Sequence, residues 1–223
     1  MHTIQQKNET CQDNVIECII EFVKAPEGDK SKYVSKLAKT TSEPYAIQKI
    51  IEFLYQIPQA KKAFQERNIL GDIDLQKLYC LPSNTLGYGY AKHMLDRGLK
   101  PLKSETLTID NDAQYLSIHL TETHDIWHVV TGTDSDIPGE LQIEAFCVYQ
   151  LYATRFFLGL IVKNLLKSTV EDIEVSTQYM DAITKGWLIA KQAKPLFGIK
   201  WDELWEHSLE EVRADLNIVF PDI

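Results

Sequence analysis

Proline and glycine are scarce in this sequence. Eight prolines and ten glycines make up about 8% of 223 residues, against ~12% in an average chain. So few turn formers exclude a many-stranded sandwich and favour long helices. Cysteine is scarce too: Cys11, Cys18, Cys80 and Cys147 include no CxxC pair. That argues against a disulfide framework or a cysteine-type zinc site and fits a reducing compartment. The first arginine is Arg67, and no secretory apolar region opens the chain. Neither an Arg-rich transit peptide nor a signal peptide is therefore expected. No apolar run approaches the ~20 residues of a membrane span. The longest uncharged stretch, Leu78 to Ala91, is interrupted by Pro82, and the greasiest, Ala145 to Thr154, meets Arg155 before Phe156 to Val162. Basic residues are outnumbered, 23 Lys and Arg against 32 Asp and Glu, giving a net charge of −9. Nucleic acid is not an expected partner, because phosphate binding needs a basic surface. The expected compartment is the cytoplasm.

What is present is a helical apolar period. The hydrophobic fraction of 44% is near the globular average, so the chain can bury a core without staples. Val15, Ile19, Phe22 and Val23 form one stripe, and Ile47, Ile50, Ile51 and Leu54 another. Ile57-Pro58 reads as a helix boundary. Helices are expected over Leu86 to Leu95 and over Asp112 to Val130, the latter capped by Asn111 or Asp112. A further helix opens near Pro138 and is drawn to Leu166. Two more span Val170 to Ala193 and Trp201 to Asn217. Only Thr106 to Ile109 looks like strand. The expectation is one all-α domain over residues 1–223, a bundle of about seven to nine helices.

One segment carries chemistry: His124-Asp125-Ile126-Trp127-His128, eleven residues, then Glu140. On a helix His124 and His128 lie one turn apart on one face, with Asp125 ~100° round at its edge. Thr131 to Gly139 is rich in turn formers, so Glu140 falls in the first turn of a returning helix. Two imidazoles and two carboxylates converging from antiparallel helices make a mixed N/O site suited to Zn, Fe or Mn. The plain alternative is a pair of surface or satisfied core histidines.

At these residues the sequence resembles the coenzyme Q biosynthesis protein 4 family, from about Tyr55 to the C-terminus. The carriers are Leu81-Pro82-Ser83-Asn84-Thr85-Leu86-Gly87 with Tyr90, the HDxxH-x11-E core with Gly132 and Gly139, and a tail of Trp187, Gly198, Trp201, Leu209-Glu210-Glu211-Val212-Arg213 and Ile218. The resemblance implies an all-helical, peripherally membrane-bound protein. It implies a divalent metal, zinc first and Mg, Mn or Fe as alternatives, on His124, Asp125, His128 and Glu140. It implies ubiquinone biosynthesis, with oxidative decarboxylation at ring carbon C1 of a polyprenylated hydroxybenzoate. Implied partners are a prenylated lipid or prenyl phosphate, a weakly held membrane surface, other quinone-biosynthesis enzymes and a second copy in a homodimer. The family usually has arginines at the positions of His119 and Thr121, a lysine at Glu144 and an acid at Cys147. The metal core is thus intact beside an altered head-group pocket.

The remaining candidates concern a ligand. His119 lies ~140° from His124 around the helix and reads as a head-group or structural residue. Arg155, fifteen residues past Glu140 on a continuous helix, would share its face, and buried it needs an anion: Glu144 or an acidic head group. Phe146, Tyr152 and Phe156 belong to a stretch apolar almost all round, either a central core helix or the wall of a prenyl tunnel. Tyr90 and Met94 are placed to line the same slot, where Gly87 and Gly89 allow close approach. Three functions compete: a metal-dependent decarboxylase or hydroxylase, a lipid-binding scaffold that presents prenylated intermediates, and an HD-type phosphohydrolase. The last needs an upstream His and a downstream Asp, for which His93 and Asp181 are available.

Overall fold

The computed structural model describes residues 14–26, 30–101, 108–152 and 154–222. Eleven α-helices run through the described residues: α1 (14–23), α2 (Lys30–Thr41), α3 (Pro44–Leu54), α4 (Pro58–Glu66), α5 (Leu75–Tyr79), α6 (Leu86–Asp96), α7 (Asp112–Thr131), α8 (Ile137–Leu151), α9 (Arg155–Glu171), α10 (Ser176–Gln192) and α11 (Leu209–Asp215). Short 3-10 turns at Ile173–Val175 and Trp201–Leu204 complete them. The described residues hold no strand, only an isolated bridge between Thr85 and Ser208. The all-α expectation holds, with more and shorter helices than the periodicity suggested.

The helices start where the chemistry says they should. Asn111 caps α7, its side chain accepting the Gln114 N–H at 2.9 Å. Pro58 opens α4 and Pro138 lies in the first turn of α8. Thr85 caps α6. One apolar cluster joins Leu54, Phe64, Tyr90, Met94, Trp127, Phe146, Phe197 and Trp201. α7 therefore runs through the middle of the core, and both its ends are fixed.

Several boundaries differ from the sequence reading. The helix expected from Pro138 to Leu166 is two: α8 stops at Leu151 and α9 starts at Arg155. Tyr152 sits between them at φ 50°, a backbone region tyrosine rarely adopts, with its ring stacked on Phe53 at 5.2 Å. No glycine or proline announces the break. Val170 to Ala193 divides likewise, since α9 runs to Glu171 and α10 begins at Ser176. Trp201 to Asn217 divides into a 3-10 turn and α11. Of the expected strand, Thr106 and Leu107 lie outside the described residues, while Thr108 and Ile109 are irregular. Of the stripe on α1, Phe22 is buried and Val15, Ile19 and Val23 are half-buried: Cys18 and Phe22 pack on Leu37 of α2 and on Phe156 and Leu160 of α9.

Two glycines set the spacing of the inner helices. A Cβ on Gly186 of α10 would lie 1.9 Å from the Gln142 carbonyl oxygen of α8. A Cβ on Gly87 would lie 2.9 Å from the Trp205 carbonyl, and that carbonyl accepts the Gly87 N–H at 2.9 Å. Gly87 thus serves helix packing, and Gly89 faces Val129 of α7. Gly186→Ala must push α8 off α10. It is expected to lower stability by about 1–3 kcal/mol, the cost of overpacking, read as a fall in the urea midpoint at unchanged slope.

His119 is a structural anchor. It is buried in α7, accepts the Gly198 N–H at Nε2 (3.0 Å) and meets the Phe197 ring edge-on. Burial lowers its pKa to about 4, whereas an unfolded histidine titrates near ~6.5. Acid therefore favours the unfolded chain. The penalty is absent above neutrality, grows as pH falls below ~6.5 and is complete near pH 4, reaching about 3 kcal/mol. His119→Gln, which can still accept from Gly198 but does not titrate, should flatten stability between pH 6.5 and 4. Denaturant midpoints across that range check it.

Candidate metal centre

Glu140 reaches the imidazoles through a tight turn. Gly132 ends α7 in the left-handed region at φ 68°, with its N–H on the last carbonyls of the helix. Asp136 caps α8 by accepting the Gly139 N–H at 2.8 Å. Gly139 fits only because it has no side chain: a Cβ would lie 2.1 Å from the Asp134 carbonyl oxygen. From the C-terminal segment, Arg213 donates to the carbonyls of Val130 (2.9 Å) and Val129 (2.8 Å). The free end of α7 is thus held by a cation where the helix dipole favours one.

In this frame His124, His128 and Glu140 each offer a ligand atom, and the three atoms lie within 4.8 Å of one another. His128 is wholly buried, and its Nε2 has no hydrogen-bond partner although Glu140 Oε1 is 3.5 Å away. A buried donor nitrogen left without a partner demands a reason, and a cation between His128 and Glu140 supplies one. The fit is good in donor type as well, two nitrogens and a carboxylate. The other nitrogen of each ring faces an oxygen. Nδ1 of His128 is 2.8 Å from Thr133 Oγ1, and Nδ1 of His124 is 3.4 Å from Asp125 Oδ1. Protonated at Nδ1, both imidazoles would present Nε2 lone pairs, the arrangement in which outer oxygens orient metal-binding histidines. Asp125 accordingly stands beside His124, not within the group of three.

The site encloses His128 fully and leaves His124 and Glu140 partly exposed. Burial, then His124 and His93, lowers His128 to about 3, so it stays neutral. Burial opposes charge on His124 too, but Asp125 and Glu140 outweigh it and its pKa rises. Burial would raise Asp125, and the imidazoles around it reverse that. Glu140 is raised by burial against the pull of His124. One turn on, Glu144 is buried with Oε2 unpartnered. Burial and then Glu140 push its carboxyl well above the usual range, with Lys163 opposing.

The expected ligand-contact residues divide. Tyr90, Met94 and Phe146 are buried in one apolar cluster with Phe156 packed against it. Tyr90 stacks on Trp205 at 5.3 Å. Tyr152 is exposed. Arg155 is a correction: the helix break takes it off Glu140's helix, and its guanidinium pairs at 3.5 Å with Glu43. His119 also faces away from the three ligand candidates, lining with Tyr115, Gly198 and Leu204 a cavity of about 320 Å³ on the other side of α7. Asp181 is exposed on α10, so the fourth group of an HD-type centre is not drawn from it. One contributor, Thr133, was missed, and another, His93, was available only as the upstream histidine of an HD-type centre. Thr133 lies in the turn-forming segment, where an ST-type residue near a histidine was the available signal. His93 comes from α6, and its ring stacks on His128 with centroids 5.7 Å apart.

The family model of the Coenzyme Q (ubiquinone) biosynthesis protein Coq4 matches residues 3–222, further toward the N-terminus than the resemblance read from motifs. The mitochondrial ubiquinone biosynthesis protein COQ4 of Eremothecium gossypii is 29% identical over 153 residues, 67% of this chain and 46% of that protein. That of Talaromyces stipitatus is 26% identical over 192 residues, 84% of this chain and 66% of that protein. That of Yarrowia lipolytica is 26% identical over 193 residues, covering 84% and 72%. The chain thus spans about half to seven-tenths of the length of these curated relatives. All three are named as mitochondrial, in contrast to the cytoplasmic expectation for this chain. The crystal structure of a candidate ubiquinone biosynthesis protein from Nostoc punctiforme shares the fold at a TM-score of 0.82 and 25% identity, covering 93% of this chain and 98% of that one. A match running from residue 3 to residue 222 leaves almost none of the sequence outside it, and the chain belongs to the Coenzyme Q (ubiquinone) biosynthesis protein Coq4 family.

Proposed function

We propose that this protein serves ubiquinone biosynthesis by holding a divalent cation, zinc first, on His124, His128 and Glu140 and a prenylated aromatic lipid beside it. The observation that carries the reading is the partnerless Nε2 of buried His128, aimed at Glu140 with His124 at hand. Asp125 and Thr133 would hold the rings, and Tyr90, Met94, Phe146 and Phe156 the apolar part of the ligand. A bound ion would act as Lewis acid and template for a ring oxygen. The reaction in view replaces the C1 carboxyl of a polyprenylated hydroxybenzoate by hydroxyl and releases carbon dioxide, one atom of external dioxygen entering the ring hydroxyl and the other leaving as water at the expense of an external two-electron reductant.

The non-catalytic scaffold is the second reading, and one observation favours it. A carboxylate head group needs a cation, yet Arg155 pairs with Glu43 and the turn beyond Glu140 presents a buried acid, Glu144. Turnover of a short-chain prenylated hydroxybenzoate separates the two readings.

Elemental analysis tests the metal. Wild type and His119→Ala should retain about one ion per chain, and the His124→Ala, His128→Ala double variant should lose it; equal content in all three contradicts the site. For the lipid, a farnesyl phenol at about 100 times its dissociation constant should stabilise the fold by about 2.7 kcal/mol. That corresponds to about 5–10 °C for a chain of this size. The tail-less phenol should not do so, and equal shifts from both compounds sink the apolar site.

No described helix is long and apolar enough to cross a membrane. Contact with a membrane surface is supported by Leu158, Val162, Leu166 and Val170, exposed at four-residue spacing along α9, with Ile16 and Ile20 exposed on α1, which packs against α9. Such a row binds by apolar area. Val162→Ser with Leu166→Ser should reduce recovery in liposome flotation, while moderate salt should leave wild-type recovery unchanged; salt-abolished binding contradicts an apolar contact.

A further inference from the structure

His93 touches the centre without belonging to its ligand group. It is buried on α6, its ring stacked on that of His128 with planes 27° apart. Its Nε2 lies 3.3 Å from Ser135 Oγ, in the turn between α7 and α8. One helical turn on, Arg97 donates to the His93 carbonyl at 3.1 Å and through Nε to Asp134 Oδ1 at 3.1 Å. Its NH2 joins the same Asp134 oxygen in an ion pair. The end of α6 therefore grips two consecutive residues of the turn. That turn also supplies Thr133, on Nδ1 of His128, and Asp136, the cap that starts α8 three residues before Gly139 and four before Glu140.

These contacts fix the donor direction of His128 from three sides. An imidazole lone pair lies in the ring plane, so a ring that tilts swings its Nε2 away from a ligand position. Thr133 holds the near nitrogen. His124 closes one side edge-on, with ring centroids 4.7 Å apart. His93 supplies the remaining flat wall. A phenylalanine could fill that wall but could not hold Ser135.

We propose that His93, backed by Arg97, is a positioning residue of the centre, setting the plane of the His128 ring and the place of the α7–α8 turn so that Nε2 faces Glu140 before any ligand arrives. The proposal rests on the metal reading above. It predicts that metal affinity depends on a helix that contributes no ligand. Outer-shell partners of this kind are worth about 10–100-fold in affinity.

The test uses cobalt(II) in place of zinc, because its visible d–d absorption reports ligand geometry. His93→Ala should weaken cobalt binding by about 10–100-fold and alter the absorption envelope of the saturated protein. His93→Phe, which restores the flat wall, should recover the envelope and most of the affinity. Arg97→Gln leaves His93 in place but frees the turn, and its loss should be intermediate; it serves if His93→Ala does not fold. A merely structural His93 would lower the melting temperature of the metal-free protein and leave both envelope and affinity unmoved, within about twofold, which overturns the proposal. Wild-type protein that takes up no cobalt overturns the metal reading beneath it.

Discussion

Glu140 meets the two imidazoles because α7 ends and α8 begins within a few residues, and nearly every specific contact near the site serves that reversal. Arg213 holds the last carbonyls of α7, Gly132 turns the chain in the left-handed region, and Gly139 lets the turn close to 2.1 Å from a notional Cβ. Asp136 starts the second helix. The restraints come from distant parts of the sequence: Arg97 just past the end of α6, Arg213 on α11. A chain that loosened any of them would keep its helices but lose the 3.5 Å approach of Glu140 to His128.

The electrostatic design follows from burial. His128 is kept neutral and therefore able to donate a lone pair, while His124 lies where Asp125 and Glu140 favour its charged form. Without a cation, His124 would be the group that balances these carboxylates. Were His124 to hold a cation together with His128 and Glu140, it would do so as the neutral imidazole, and binding would release a proton. Glu144 sits outside this balance. Burial one turn past Glu140 pushes its carboxyl well above the usual carboxylate range, and it gives the inner face of α8 an acid where a carboxylate-binding pocket would carry a cation.

Much of this was legible in the sequence because it is local. The spacing of His124 and His128, the cap at Asn111 and the return to Glu140 depend on residues within one helix or one turn, and they stand as expected. Asp125 was displaced from the ligand group because helical arithmetic puts it only at the edge of the face. The role of Arg155 failed for a different reason: it assumed a continuous helix, and the break at Tyr152 rests on a tertiary contact with Phe53 that no local signal marks. His93 could be named only as the upstream histidine of an HD-type centre, and its stacking on His128, like the grip of Arg213 on α7, was invisible, since they approach α7 from helices about thirty residues before and eighty after it. Gly87 and Gly89 were legible as close-approach glycines, but what approaches them is protein.

X-ray absorption at the zinc edge of the purified, zinc-loaded protein tests the central claim most directly. The account predicts a first shell of nitrogen and oxygen alone, at about 2.0–2.1 Å, with the outer-shell scattering of two imidazoles and no sulfur. A sulfur scatterer at about 2.3 Å, which would bring in a cysteine, or a shell without imidazole scattering would contradict it.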